Sequence, residues 1–183
     1  MRKSNLYYLT ISAMFTALIA VGAFIKVPMP LLPFTMQTFF TMLACFLLPQ
    51  KYSSLSAVLY LILGLIGVPI FTSGGGLGYV LTPGFGYLIG FVVANYVAGG
   101  LFNSYCSKKM PLKMVDFFRF GIVNISIVYI CGLFYWYLLA NIFMSNSIGL
   151  WPLIMNGFLL TLPGDIVKLA VAVLVALKLR KYL

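Results

Sequence analysis

Leu162-Pro163-Gly164-Asp165-Ile166-Val167-Lys168 opens a long apolar run, Leu169 to Leu177, close to the C-terminus. It holds Asp165, one of only two acidic residues in the chain. Each of the two charges costs roughly 2.5–3.5 kcal/mol in hydrocarbon on insertion scales, so both need partners. Three residues apart on a helix, they share a face and either pair privately or converge on one ligand. Pro163 suits a first helical turn, where its missing N–H is no loss. Asp165 then falls where the helix dipole favours a negative charge. An ionisable pair inside a membrane marks a functional site by default; the plainer alternative is a pair that only neutralises itself.

The composition around this stretch demands a membrane. Of 183 residues, 63% are hydrophobic and 8% charged, and none is histidine. A soluble domain of this length cannot cover its surface with so few charges. The net charge of +10 is not a nucleic-acid stripe, because the basic residues fall in short clusters between apolar segments. Such clustering is a topology signal. Three cysteines, an odd number, argue against a disulfide framework. Cys45 and Cys131 lie within apolar runs and Cys106 at the end of one, without metal-ligand spacing, and read as packing residues. Met1-Arg2-Lys3 followed by Leu6–Ile25 has the outline of a secretory signal. Its apolar run of roughly 20 residues exceeds a signal core of about 7–15, so it is expected to remain as a first membrane helix.

That first span carries Ala13 and Ala17, a spacing of small residues that admits a closely packed neighbour. Lys26-Val27-Pro28-Met29-Pro30-Leu31-Leu32-Pro33 follows, and its prolines predict an extended segment. At membrane depth such a segment is covered by protein or lines a cavity. Lys26 either snorkels to the interface or offers a cation to a ligand. A second span, Phe34–Leu48, holds Thr35, Gln37, Thr38 and Thr41. Thr38 and Thr41 can bond back to their own helix. Gln37 cannot satisfy all its donors and acceptors that way, so it seeks a neighbour or a ligand.

The third span is Tyr52–Val68, and the uncharged loop after it, Phe71 to Tyr87, is rich in glycine and aromatics. A phosphate cradle would need Gly-Lys-Ser/Thr after the glycines, and that is absent. A flexible linker would not carry Tyr79, Phe85 and Tyr87. A compact lid fits better, with glycines for tight turns and aromatics to contact a flat ligand. The alternative is a cover over structural core.

The fourth span is Tyr87–Phe102, after which Lys108, Lys109, Lys113 and Arg119 cluster around Pro111 and Asp116. The fifth, Phe120–Met144, carries Tyr129, Phe134, Tyr135, Trp136 and Tyr137, which read as an aromatic belt at the membrane surface. After the connection Ser145–Pro152, Leu153–Leu162 is either the first half of a kinked sixth helix or a short element leading into it. The last span runs through Pro163 to Leu179. Six spans put both termini on one side. Arg2, Lys3, Lys51, Lys108, Lys109, Lys113, Arg119, Lys178, Arg180 and Lys181, ten of the twelve basic residues, fall on that side. The positive-inside rule makes it cytoplasmic. The expected fold is an all-α integral membrane protein of six transmembrane helices, one domain over residues 1–183, with both termini cytoplasmic and structured extracellular loops.

One carboxylate, one or two ammonium groups, a glutamine and several aromatics describe a binding site rather than a catalytic one. There is no histidine, no metal-ligand cluster and no second membrane carboxylate for an aspartyl dyad. The chain lacks a P-loop for ATP and has little polar lining for a conducting pore. The expectation is a non-enzymatic membrane protein without metal, cofactor or nucleic-acid partner. It holds a small, partly apolar molecule near the outer face, with donors for Asp165 and an anionic or carbonyl group for lysine.

Four ordered motifs resemble those of BioY proteins, the biotin-binding S components of energy-coupling-factor (ECF) vitamin transporters. They are Ala-Val-Gly-Ala-Phe-Ile-Lys-Val-Pro-Met-Pro (20–30), Pro-Phe-Thr-Met-Gln-Thr (33–38), Gly-Gly-Gly-Leu-Gly-Tyr (74–79) and Pro-Gly-Asp-Ile-Val-Lys (163–168). Val115 to Ile148 adds nothing to the likeness. The resemblance implies a six-helix subunit in the cell membrane, surrounded by lipid, working with a transmembrane coupling protein and two cytoplasmic ATPases. It implies biotin as the ligand, Asp165 and Lys168 as the polar ligand pair, and the outer loops, with Gly76 and Gly78, as the substrate cover. Ala13 and Ala17 match the motif that packs against the coupling protein. A ureido ring suits Asp165 with a lysine or Gln37, and the remaining ring and tail suit Tyr79, Phe85 and Tyr87. Lys26 is available to the tail carboxylate, and which lysine meets which end is open. A self-sufficient secondary transporter, proton-coupled through Asp165, is the alternative class. One carboxylate and no histidine make a poor relay for it.

Overall fold

The computed structural model describes residues 4–29, 32–109, 111–143 and 149–180. Arg2, Lys3 and Lys181, Pro30 of the proline segment, and residues 145–148 of the late connection lie outside the described residues.

Helix α1 (Asn5–Phe24) begins where the Ser4 side chain accepts the Tyr7 N–H, satisfying a donor the helix itself leaves open. It stops ahead of the prolines. There β1 (Lys26–Val27) pairs antiparallel with β2 (Phe34–Thr35), Lys26 opposite Thr35 and Val27 opposite Phe34. The extended segment is therefore a small ribbon whose backbone groups find partners in each other.

Helices α2 (Gln37–Leu47) and α3 (Gln50–Leu65) meet at Pro49, which turns the corner without costing a helical hydrogen bond. Gly67, at φ 107°, takes the left-handed conformation that ends α3. The following loop folds through a Phe71–Gly74 bridge and a 3₁₀ turn at Leu77–Leu81 into α4 (Phe85–Lys108). Helix α5 (Met114–Leu138) widens into a π-turn at Leu139–Phe143. Helix α6 (Leu150–Ile154) passes through a second π-turn, Met155–Leu159, into α7 (Leu162–Leu179). Leu160 and Thr161 keep helical backbone angles, so Leu150–Leu179 is one helical run that includes the π-turn. Leu153–Leu162 thus belongs to the last helical run.

Neighbour contacts run in a series, α1 to α3 to α4 to α5 to α7, and α2 touches all five. Helix α2 is buried on nearly every side, as a helix inside a bundle must be, with Met42, Ala44, Cys45 and Phe46 almost without exposure. Among the described residues, four runs are long and apolar enough to cross a membrane: Asn5–Phe24, Phe85–Lys108, Met114–Ile142 and Leu150–Leu179. At 11 and 16 residues, α2 and α3 fall short of that length. They are about 16 and 24 Å long, against about 30 Å of hydrocarbon.

The charged residues gather at one end. Arg180 donates to the Phe46 carbonyl at 2.9 Å and stacks over Phe102 at 4.9 Å, while the Tyr52 hydroxyl donates to Asn5 at 3.2 Å. The first two contacts tie the end of α7 to α2 and α4, and the third ties the start of α1 to the start of α3. The polar stretch before the fifth span is not a long loop, since α4 runs to Lys108 and α5 starts at Met114. Asp116 falls in the first turn of α5, where it accepts the Lys113 N–H at 2.8 Å and the Tyr105 hydroxyl at 2.6 Å. Negative charge at a helix start is favourable, so the charged residues extend the helix. The hydroxyl of Tyr105, then the Asp116 carboxylate, raise the pKa of Lys109 above its ordinary value.

The aromatic belt expected on α5 divides. Phe134 and Tyr137 are exposed, but Tyr129 and Trp136 face the core. On a helix, residues three or seven apart share a face, so Phe134 and Tyr137 fall on one side and Tyr129 and Trp136 on another.

Candidate functional site

At the end away from the basic cluster, the ribbon, the loop and the starts of α2, α4 and α7 enclose a cavity of about 120 Å³. Its wall combines Leu32, Pro33, Phe34, Thr35, Gln37 and Thr38 with Thr72, Ser73, Tyr79, Thr82, Pro83 and Gly84. Tyr87, Leu88, Phe91, Val128, Tyr129, Thr161, Asp165 and Lys168 complete it.

Asp165 and Lys168, each 5% exposed, sit together on α7 as the three-residue spacing predicts. Lys168 Nζ lies 2.5 Å from Asp165 Oδ1, donates to the Thr35 carbonyl at 2.7 Å and rests 3.7 Å above the centre of the Phe34 ring. The ammonium is thus held by a carboxylate, a carbonyl and an aromatic face. Asp165 Oδ2 accepts the Tyr129 hydroxyl at 2.5 Å, and that hydroxyl also meets Thr161 Oγ1 at 2.8 Å. Oδ1 is in close ion-pair contact with the ammonium, and a carboxylate oxygen has two lone pairs, so one acceptor position on this buried oxygen is open to a further donor.

Gly164 is required by this packing. A Cβ there would lie 2.3 Å from the Phe34 ring, which fills the space against the start of α7. Gln37 donates to the Tyr60 hydroxyl at 2.7 Å and accepts from Thr35 at 3.1 Å. It has the neighbours its chemistry demands and still faces the cavity. Thr41 bonds back to the Gln37 carbonyl at 2.9 Å, whereas Thr38 lines the cavity.

The loop covers the site from one side. Tyr79 and Thr72 share a hydroxyl hydrogen bond of 2.7 Å, and Lys26 reaches from the ribbon to the Thr72 carbonyl at 2.5 Å. Tyr135 on α5 donates to the Val80 carbonyl at 2.5 Å, fastening the 3₁₀ turn. Burial pushes the Tyr79 phenol above its ordinary pKa, while its contacts with Thr72 and Thr82 work the other way. It serves as a neutral hydrogen-bonding group. Tyr87 lines the wall and donates to the Gly157 carbonyl in the second π-turn at 2.9 Å. That carbonyl is available because π-turns leave irregular backbone bonding.

The sequence-predicted residues therefore divide. Asp165, Lys168, Gln37, Tyr79 and Tyr87 meet at one cavity. Lys26 lies outside its wall, exposed and engaged with the loop backbone. Phe85 packs against Tyr135, ring centres 5.6 Å apart, away from the cavity. Gly76, at φ 96°, donates its N–H to Gly64, and Gly78 faces open space, so both shape the loop from outside the wall. Ala13 and Ala17 are exposed on α1, far from this site. Tyr129, Phe34, Thr72 and Thr161 are wall residues that sequence patterning does not single out. Tyr129 is hidden within an aromatic run, and the threonines carry no charge to betray them. Among the described residues there is no metal-binding cluster, and the three cysteines are free.

The chain matches the BioY family over residues 1–183. It is 37% identical to a probable biotin transporter BioY of Lysinibacillus sphaericus, covering 99% of this chain and 90% of that protein. It is 34% identical to a biotin transporter BioY of Thermotoga maritima, covering 93% and 94% of the two chains. A crystal structure of the S-component for biotin from an ECF-type ABC transporter superimposes with a TM-score of 0.80 at 28% identity, covering 98% of this chain and 95% of that one. Four apolar helices of membrane-crossing length and a match from first residue to last make this a multi-pass membrane protein. The chain belongs to the BioY family.

Proposed function

We propose that the chain is the biotin-capturing membrane subunit of an ECF-type importer. The observation that carries this reading is the buried Asp165–Lys168 pair on the wall of a mixed polar and apolar cavity. Relatives named as biotin transporters and a fold shared with a biotin S-component support the same reading. Biotin's ureido ring has two N–H donors and a carbonyl. An N–H meets the open acceptor on Asp165 Oδ1, and the carbonyl accepts from Lys168 or Gln37. The thioether ring and aliphatic tail lie against Phe34, Tyr79, Leu88 and Phe91, and Tyr87 and Tyr129 brace the polar end.

In this reading residues 1–183 form one domain with six membrane segments, α2 and α3 being the two short ones. The basic end faces the cytoplasm, and the ribbon and loop face outward. Release is driven by partners, a transmembrane coupling protein that meets α1 at Ala13 and Ala17 and two cytoplasmic ATPases, while this subunit performs no chemistry itself. Titration calorimetry of the purified chain with biotin tests the reading directly. One-to-one binding is expected, with marked weakening for a biotin analogue methylated on both ureido nitrogens. Absence of biotin binding by folded protein overturns it.

A further inference from the structure

Tyr60 stands on α3 behind the cavity, 1% exposed and outside the wall, with its hydroxyl where two parts of the enclosure meet. It accepts the Gln37 side-chain N–H at 2.7 Å and donates to the Ile70 carbonyl, at the root of the covering loop, at 3.0 Å. These bonds have one consistent direction. A carbonyl can only accept, so the single phenolic proton goes to Ile70 and the Tyr60 oxygen must accept from Gln37. The end of Gln37 that meets Tyr60 is therefore its NH2 group. Its Oε1 points the other way, to the Thr35 hydroxyl, which donates to it at 3.1 Å. Reversing the amide would set oxygen against oxygen, and one proton could not serve both Ile70 and Gln37. A buried acceptor would then be left unpaired. In the observed direction Gln37 keeps one N–H and one oxygen lone pair to spare, and it lines the cavity.

The Tyr60 ring is held as firmly as its hydroxyl. It packs edge-on to Phe71, ring centres 5.4 Å apart, and Phe71 lies 4.5 Å from the ring of Tyr79 in the cover. Phe71 is 1% exposed and fills the space beside Gly64, where a Cβ would collide with its ring. One side chain of α3 thus grips both the root of the loop and a polar group of the wall. We propose that Tyr60 is a positioning residue for ligand capture: it fixes which way round Gln37 presents its amide, leaving an N–H donor for a carbonyl on the guest, and ties that orientation to the covering loop. The guest is biotin in the reading above, on which the binding step rests, whereas the grip on Gln37 exists in the empty protein.

The chain has two glutamines, Gln37 and Gln50, so isotope labelling of glutamine side-chain nitrogens gives two amide groups by magnetic resonance, assigned with Gln50→Ala. Tyr60→Phe keeps the ring against Phe71 and removes only the hydroxyl. In the empty protein it should speed hydrogen exchange of the Gln37 amide about fivefold, the factor that one neutral hydrogen bond contributes. In calorimetry it should weaken biotin binding about fivefold, but by less than about twofold where Gln37 is already alanine. Equal weakening in both backgrounds would mean that Tyr60 acts through packing alone, and it overturns the proposal. So does unchanged exchange of the Gln37 amide in Tyr60→Phe. A folded wild type that binds no biotin would sink the function proposed above instead, and the exchange rates of the empty protein would still decide whether Tyr60 orients Gln37.

Discussion

The Tyr129 hydroxyl lies 2.5 Å from Asp165 Oδ2, so α5 holds one carboxylate oxygen while Lys168 on α7 contacts the other. The tyrosine fixes the carboxylate's orientation and leaves Oδ1 with its open acceptor position. Tyr129→Phe keeps the ring and removes only the donor. A hydrogen bond to a charged group contributes about 1.5–3 kcal/mol, so affinity for biotin should fall about tenfold or more. Calorimetry on protein with a near-normal melting temperature checks this. Affinity within twofold of wild type would mean that the hydroxyl does not position the carboxylate.

Asp165→Asn and Lys168→Ala should each weaken biotin binding without blocking membrane insertion. Removing one partner of a buried pair costs about 3–5 kcal/mol of stability, because the other charge is left uncompensated. The double variant Asp165→Asn/Lys168→Met should therefore melt higher than Lys168→Ala alone and still bind poorly. Near-normal affinity in both single variants would reduce the pair to self-neutralisation.

Gly164→Ala should damage the site through Phe34. The added methyl would sit 2.3 Å from the Phe34 ring, which supports Lys168 from 3.7 Å. Forcing the ring aside should cost about 1–3 kcal/mol, the usual range for overpacking. Adding Phe34→Leu should recover melting temperature but not affinity, since the aromatic face under the ammonium is then lost. Unchanged melting and binding in Gly164→Ala would show that the ring moves freely.

The Gly74–Gly86 segment should exchange its amide hydrogens more slowly once biotin is bound. Its glycines permit movement, and Tyr79 gives the closed form a contact with the ligand. Lys26→Ala removes the ribbon's hold on the Thr72 carbonyl and should raise exchange in the empty protein. Equal exchange with and without biotin would make the segment a static cover.

Ala13 and Ala17 lie on the outward face of α1, while Ser12 and Thr16 face the core. Replacing both alanines with tryptophan should abolish ATP-driven uptake in the reconstituted complex and leave biotin binding intact. Loss of both activities would mean that the alanines serve internal packing. Preserved uptake without any ATPase partner would favour a self-sufficient carrier.

The parts of the site legible in the sequence are those that violate their surroundings. Asp165, Lys168 and Gln37 stand out because charge or amide in an apolar run is costly without a partner. Tyr129 does not stand out, since an aromatic in such a run is equally at home at a membrane surface or in a core. Phe34 is invisible for a related reason: only the fold sets its ring against Gly164, 130 positions later in the chain. The prolines announced an extended segment, but not its pairing into a ribbon, nor that Lys26 would turn to the Thr72 carbonyl instead of the cavity. The extents of α4 and α5 also escaped the hydropathy pattern. Hydropathy marks where a chain enters lipid, whereas Asp116 and Tyr105 continue helix beyond that boundary through hydrogen bonds.

Among the described residues of the cavity wall, Asp165 and Lys168 are the only charged side chains, and they cancel. A carboxylated guest such as biotin therefore turns an electrically balanced chamber into one with a surplus electron's worth of charge. Inward delivery of that complex is electrogenic, and an inside-negative cell opposes it by about 2.3 kcal/mol for each 100 mV across the full field. A passive carrier would work against the voltage at every turnover; in the importer proposed above, hydrolysis in partner subunits would supply what the membrane potential withholds.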